Sequence, residues 1–368
     1  MPKKVRIRGL HAPRTAPAAK RLRAVDTPDQ AIRLPRWITL SGMECGSQHP
    51  DFCNDDLGTL GEDYFINRRP TFEKLAEVGF EGFRIPFCWE RLQPQLGGPL
   101  APEALQSLRY MISVARDLNR KVTLCMHNAG CYTTRVDGVP TTCGLEESIN
   151  GIVHVTDQHF AEFWSRMSHA LCGLPNLRGY GLASTALNLP DGAWQRSSQA
   201  AVEAIREDGD TVPIYVSGTG SGRTSTWGSD NPSGPWINDP EDQIIYESHC
   251  YLDHDESGQY DLPFEEELAA DPKLQARAES RLKPFLDWLG ANDAKGALTE
   301  FGVPCDNHRW ASLLPHMIKT LEKAKVGSVW WAAGEHLTDH PLSLQLDENS
   351  SKPKPAQIEL FRGVTRSA

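Results

Sequence analysis

The chain has 368 residues, with 38 Lys and Arg against 48 Asp and Glu, for a formal charge of −10. An apolar fraction of 39% with 30 Gly and 26 Pro is ordinary for a folded globular chain and argues against wholesale disorder or a fibre. No stretch approaches the roughly 18 uninterrupted apolar residues of a membrane-crossing helix, so no membrane partner is expected.

Charge is unevenly distributed. Residues 1–25 hold eight bases (Lys3, Lys4, Arg6, Arg8, Arg14, Lys20, Arg21 and Arg23) and no acid precedes Asp26. The rest of the chain then has 30 bases against 48 acids, an acidic body that repels nucleic acid. Residues 1–35 read as a flexible, solvated basic arm, and 36–368 as one domain. The arm lacks the apolar core of a secretory signal, so a cytoplasmic location is expected. Nine cysteines without a C-x-x-C pair fit reduced thiols, with a Cys45–Cys53 bridge as the one local alternative.

After the arm, apolar runs alternate with helical patterns. The runs are 37–43 (WITLSGM), 82–87 (GFRIPF), 121–127 (KVTLCMH), 178–184 (RGYGLAS), 213–217 (PIYVS), 244–250 (IIYESHC), 296–301 (GALTEF) and 328–333 (SVWWAA). Helices are predicted near 70–78, 102–118, 157–172, 194–207, 272–290 and 308–325 from apolar residues spaced i, i+3, i+4, such as Leu105, Leu108, Ile112 and Ala115. Nearly continuous apolar strands separated by helices imply a parallel sheet covered on both faces. Eight of them predict an α/β fold closed as a single-domain (β/α)8 TIM barrel. An open doubly wound sheet would require a phosphate-binding glycine loop after an early strand; GTGSG at 218–222 has no good helix behind it and reads as a plain loop.

In such a barrel the site forms where the carboxyl ends of the strands converge. Those ends present Glu44, Arg84, His127 with Asn128, Ser184 with Thr185, Ser217, His249 with Tyr251, Glu300, and Trp330 with Trp331, followed by Glu335. Any one of these has a structural explanation, but their agreement from strand end to strand end predicts a shared ligand site. A His/Cys metal site drawn from Cys125, His127, Cys131, His249 and Cys305 matches no standard zinc spacing, so neither metal nor cofactor is expected.

From about residue 37 to 346 the chain resembles glycoside hydrolase family 5, the cellulase family. The similar segments are FRIPFCWERLQP (83–94), MHN (126–128), YESHCYLDHDESGQY (246–260), LTEFGVP (298–304) and WWAAGEHLTDHPLS (330–343). The resemblance implies a retaining mechanism, with one carboxyl attacking the anomeric carbon and a second protonating the leaving oxygen about 5–5.5 Å away. It makes Glu300 the nucleophile and Arg84 and Tyr251 the groups that hold it ionised. His249 and His127 would bind hydroxyls or relay protons, with Asn128 beside them. Trp331, or its neighbour Trp330, would stack on a sugar ring of a small-molecule or oligosaccharide ligand.

Strand 4 departs from the family pattern. The family ends this strand with Asn-Glu-Pro, where GLASTALNLP (181–190) has Ser184 and Thr185. The resemblance thus places Ser at the 2-hydroxyl contact and Thr at the general acid/base. Glu335 is the first candidate for a substitute acid, ahead of Asp191 and Glu44. The sequence therefore predicts an enzyme that acts through Glu300 on activated or unusual glycosides rather than cellulose. The alternatives are a barrel repurposed for a rearrangement, elimination or cyclisation, and a carbohydrate-binding protein that has lost the reaction.

Overall fold

A computed structural model describes residues 36–345. The basic arm, residues 1–35, lies outside the described residues, as do 346–368. Eight parallel strands close into a barrel: β1 (Trp37–Leu40), β2 (Gly82–Phe87), β3 (Lys121–Met126), β4 (Leu177–Gly181), β5 (Ile214–Ser217), β6 (Ile244–His249), β7 (Gly296–Phe301) and β8 (Gly327–Ala333). Each is hydrogen-bonded to its sequence neighbours, and β8 pairs with β1 to complete the ring. The predicted (β/α)8 architecture is the observed one.

Strand alternation decides what enters the barrel. On β2, Phe83 and Ile85 are fully buried, and Phe83 meets Phe72 edge-on at 4.9 Å between ring centres. Phe72 belongs to α1 (Arg69–Val78), so Phe83 faces outward and Arg84, between the two, faces the barrel axis. The outer layer continues with α2 (Pro102–Asp117), α3 (Asp157–Leu171), α4 (Ala193–Glu207), α5 (Arg277–Asn292) and α6 (Leu314–Lys323). Pro102 opens α2, where a missing N–H costs nothing. A reciprocal cap between Thr156 and His159 opens α3.

Two features differ from the predicted elements, a divided helix and two added hairpins, while the β5–β6 connection, where no helix was predicted, is as poor in helix as expected. The helix expected over 308–325 divides into His308–Ala311 and α6. Asn307 caps the first piece through the N–H groups of Arg309 and Trp310, and Pro315 starts the second. The β5–β6 connection carries only one helical turn, Trp227–Asp230. Aromatic packing covers the barrel there instead: Trp227 meets Phe285 at 4.6 Å, and Tyr246 meets Trp236 at 4.6 Å and Trp288 at 4.9 Å. Finally, two hairpins grow from the β3–α3 connection, Cys131–Val136 with Val139–Gly144 and Ser148–Ile149 with Ile152–Val153.

No helix among the described residues is long and apolar enough to cross a membrane.

Candidate active site

At the carboxyl end of the barrel four side chains from three strands close on one carboxylate. Glu300, near the end of β7, is 6% exposed. Its Oε1 accepts from Arg84 Nη1 at 3.3 Å, lies 3.2 Å from His127 Nε2 and 3.4 Å from His249 Nε2. Its Oε2 accepts from the Tyr251 hydroxyl at 3.2 Å. Arg84 reaches this point from the barrel interior, His127 follows β3, His249 ends β6, and Tyr251 lies two residues further on.

Burial by itself would raise the Glu300 pKa, but His249, His127 and Arg84 outweigh it and hold the carboxyl well below the usual carboxylate range. The same burial pushes His249 down to about 4, against the pull of Glu300 and with the help of Arg84 and His127, so the imidazole is neutral at pH 7. Burial and the adjacent carboxylate keep Tyr251 a phenol, a fixed donor to Glu300. The result is an ionised, oriented carboxylate in a desolvated pocket, which has the chemistry of a nucleophile or an electrostatic anchor.

Beneath Arg84 lies a second carboxyl that the reading of strand ends missed. Glu247, on β6, is wholly buried and its Oε2 accepts from Arg84 Nη2 at 3.3 Å. The same Nη2 is 2.8 Å from Cys125 Sγ. Burial raises the Glu247 pKa, Arg84 opposes it, and Glu300 adds to the rise. The signal was parity: Glu247 precedes His249 by two residues and shares its inward face.

The comparisons with known proteins agree with this geometry. Residues 36–337 match the family model described as Cellulase (glycosyl hydrolase family 5). The chain belongs to glycosyl hydrolase family 5. Endo-beta-1,4-glucanase A of Emericella nidulans is 28% identical over 298 residues, covering 78% of this chain and 81% of that protein. Endo-beta-1,4-glucanase B of the same fungus is 25% identical over 311 residues, covering 84% and 85%. Among solved structures, an endo-beta-1,4-glucanase from Xanthomonas axonopodis pv. citri superposes with a TM-score of 0.74 at 25% identity over 90% of this chain and 98% of its own. The Pseudomonas stutzeri endoglucanase Cel5A, solved with cellobiose, gives 0.72 at 27% identity over 89% and 91%.

Several residues expected at the family 5 site lie elsewhere or are occupied otherwise. Trp330 is wholly buried, 4.4 Å from the Phe301 ring, and offers no face to a ligand. Its neighbour Trp331 is partly exposed, with its ring 5.5 Å from His127 at the rim. Asn128 is not free for substrate, because its Oδ1 accepts from Trp89 N at 2.8 Å and its Nδ2 donates to Glu90. Glu335, the first candidate for a substitute acid, is held at the start of α1 by Arg68 (Nε at 2.6 Å) and the Thr71 hydroxyl (3.1 Å). Asp191 is exposed. Glu44 is buried, gripped by the Ser41 hydroxyl and by Gly42 N at 2.7 Å.

The cysteines do not gather. Cys45 Sγ is 3.0 Å from His336 Nε2 while Cys53 donates to Asp55, so the alternative Cys45–Cys53 bridge is absent and all nine thiols are free. Cys131 and Cys305 bond to the carbonyls of Ala129 and Ser343, away from Cys125. Among the described residues no group of three His, Cys, Asp or Glu is placed to hold a metal ion.

Ser184 and Thr185 leave the end of β4, where Ser184 N donates to Met126 O at 2.9 Å and Thr185 is half-buried. The glycine loop 218–222 is more than a connector. Its Gly222 carbonyl accepts from His249 N at 2.8 Å and from the Ser248 hydroxyl at 2.7 Å, which straps the end of β6. Gly222 adopts φ +66°, and a Cβ there would meet Thr185 Cγ2 at 3.2 Å and His249 Nδ1 at 3.8 Å. Thr185 and the Nδ1 edge of His249 therefore flank the same glycine.

Asn128 makes a structural prediction. Glu90 Oε1 also accepts from Thr133 N at 2.6 Å, so Asn128 and Glu90 together tie the first hairpin to the barrel. Asn128→Ala leaves Glu90 Oε2 and the Trp89 N–H without these partners. The expected loss is about 1–3 kcal/mol in urea unfolding, with new protease cleavage within 131–144.

Proposed function

We propose that this family 5 chain is a retaining glycosyl-transferring enzyme in which Glu300 attacks the anomeric carbon of a β-linked glucosyl unit whose leaving group departs without protonation. The observation that carries the reading is the treatment of Glu300: hydrogen bonds from Arg84, His127 and Tyr251 orient one buried carboxylate, with His249 beside it, which is more than a sugar-stacking surface requires. Glucosyl is the sugar because relatives named endo-beta-1,4-glucanases share the barrel, and Trp331 supplies the ring-stacking face.

The leaving group follows from strand 4. If Thr185 stands at the family's acid/base position, it cannot supply a proton at neutral pH. The other acids near the rim are engaged: Glu247 is sealed under Arg84, Glu44 is held by Ser41 and Gly42, and Glu335 is paired with Arg68. General acid assistance is worth about 10²–10⁴ in rate, so ordinary glycosidic oxygens should leave poorly and acidic aglycones well.

The test is covalent trapping. A dinitrophenyl 2-deoxy-2-fluoro-β-cellobioside is expected to release one equivalent of dinitrophenolate and leave the sugar on the peptide containing Glu300, read by mass spectrometry. Absence of both release and adduct, with cello-oligosaccharide binding unchanged in Glu300→Gln, would replace this reading with that of a carbohydrate binder.

A further inference from the structure

We infer that His249 is the general base that activates water to hydrolyse the glycosyl–Glu300 ester, in place of a carboxylate on β4. This deepens the reading of Glu300 as nucleophile and rests on it.

Three observations converge on this ring. Its buried Nε2 lies 3.4 Å from Glu300 Oε1 without hydrogen-bond geometry, and the negative charge beside it favours the proton on Nε2 and leaves the lone pair on Nδ1. Nδ1 lies beside Gly222 on the side of Thr185, at the end of β4: a Cβ on that glycine would be 3.8 Å from Nδ1 and 3.2 Å from Thr185 Cγ2. The strap holds the ring there: His249 N donates to Gly222 O, and Thr224 N donates to His249 O at 3.0 Å. A water between Nδ1 and Thr185 would thus lie on the β4 side, with Glu300 on the other side of the ring.

The step balances without another reagent. The water oxygen attacks the anomeric carbon as one of its protons moves to Nδ1. The bond from that carbon to Glu300 breaks, and its electron pair returns to the carboxylate. The imidazolium then loses the proton to solvent. The charged groups facing His249 are Glu300 from β7, Arg84 from β2 and His127 from β3, and burial with these neighbours sets its pKa at about 4. The base is therefore in its working, neutral form from pH 8 down to about 5. It is also a poor proton donor over that range, which is why the first step needs an acidic aglycone while the second does not.

Stopped-flow release from dinitrophenyl β-cellobioside separates the two steps. Wild type is expected to show a burst and then steady turnover. In His249→Gln a burst should persist, slowed by the loss of one neighbour of Glu300, while steady turnover falls much further, by about 10²–10⁴-fold, and the Glu300 adduct accumulates. Azide, an anion that attacks without a base, should restore turnover in that variant as glycosyl azide. Steady turnover in wild type should be level from pH 8 to 5 and fall only at more acid pH, since burial holds the ring neutral and esterifying Glu300 removes the charge that opposes this. A burst in His249→Gln followed by wild-type turnover would overturn the assignment and leave the nucleophile reading intact. Loss of the burst itself in both His249→Gln and His249→Asn would also overturn it, since the ring would then act on Glu300. No burst and no adduct in wild type would remove the reading beneath it.

Discussion

Ser184→Asn combined with Thr185→Glu is expected to raise hydrolysis of underivatised cello-oligosaccharides by about 10²–10⁴-fold, or roughly 3–5 kcal/mol of barrier. The rest of the apparatus is in place. Glu300 is charged and oriented by Arg84, His127 and Tyr251, and needs no rearrangement to attack. Thr185 sits half-buried on the loop leaving β4, so a longer side chain there has somewhere to project. A carboxyl in that position would stand near the desolvated, neutral His249. Burial favours its protonated form, as a general acid needs. Asn at 184 would add a donor where Ser falls short. Reducing-end assays on cellotetraose measure the gain, and adding Glu300→Gln to the double variant should return it to background. If the fluoro-sugar traps Glu300 yet the double variant gains nothing, Thr185 is not at the proton-donor position and strand 4 has been misread.

How much of this was visible in the residues differs by element. All eight barrel strands appear as apolar runs because parallel strands buried on both faces have no polar side to break the pattern. Glu300, Arg84, His127 and His249 were likewise exposed by contrast, since charged and imidazole side chains at the ends of apolar strands need a reason to be there. The hairpins after β3 were missed although both carried a signal. Asp137-Gly138 (φ +52° and +83°) and Asn150-Gly151 (φ +53° and +81°) are dipeptides that favour the left-handed turn of a two-residue hairpin. The strands of the first mix Thr and Arg with apolar residues and those of the second are two residues long, so neither forms an apolar run. The Trp330-Trp331 pair shows a different limit. Adjacent strand residues face opposite sides, so one must point away from the site, but only the register of β8 says which. Asn128 and Glu335 show a third. Residue type announces a polar group, but its partner is chosen in three dimensions, and Arg68 is 267 positions from Glu335.

Arg84→Met is expected to cost about 3–5 kcal/mol of stability at pH 8, the price of leaving buried carboxylates without their cation. Arg84 is 2% exposed and divides its nitrogens between two acids, Nη1 to Glu300 and Nη2 to Glu247. Glu247 is the more vulnerable, being fully buried, with Oε1 lacking a hydrogen-bond partner among the described residues. Its pKa is already raised by burial against the pull of Arg84, and removing the arginine raises it further. The sign of the pH dependence follows from linkage. A carboxyl whose folded pKa exceeds its unfolded value binds more protons when folded, so stability rises as pH falls through the folded pKa. The deficit of Arg84→Met relative to wild type should therefore shrink between pH 8 and pH 5. Adding Glu247→Gln should recover part of it, because the uncompensated charge is then gone. The corresponding double-mutant cycle in urea should show coupling within the 0.5–3 kcal/mol typical of residues sharing one network. A loss below about 1 kcal/mol at pH 8, or a deficit independent of pH, would mean that Glu247 is neutral without the arginine's help. Arg84 would then serve Glu300 alone.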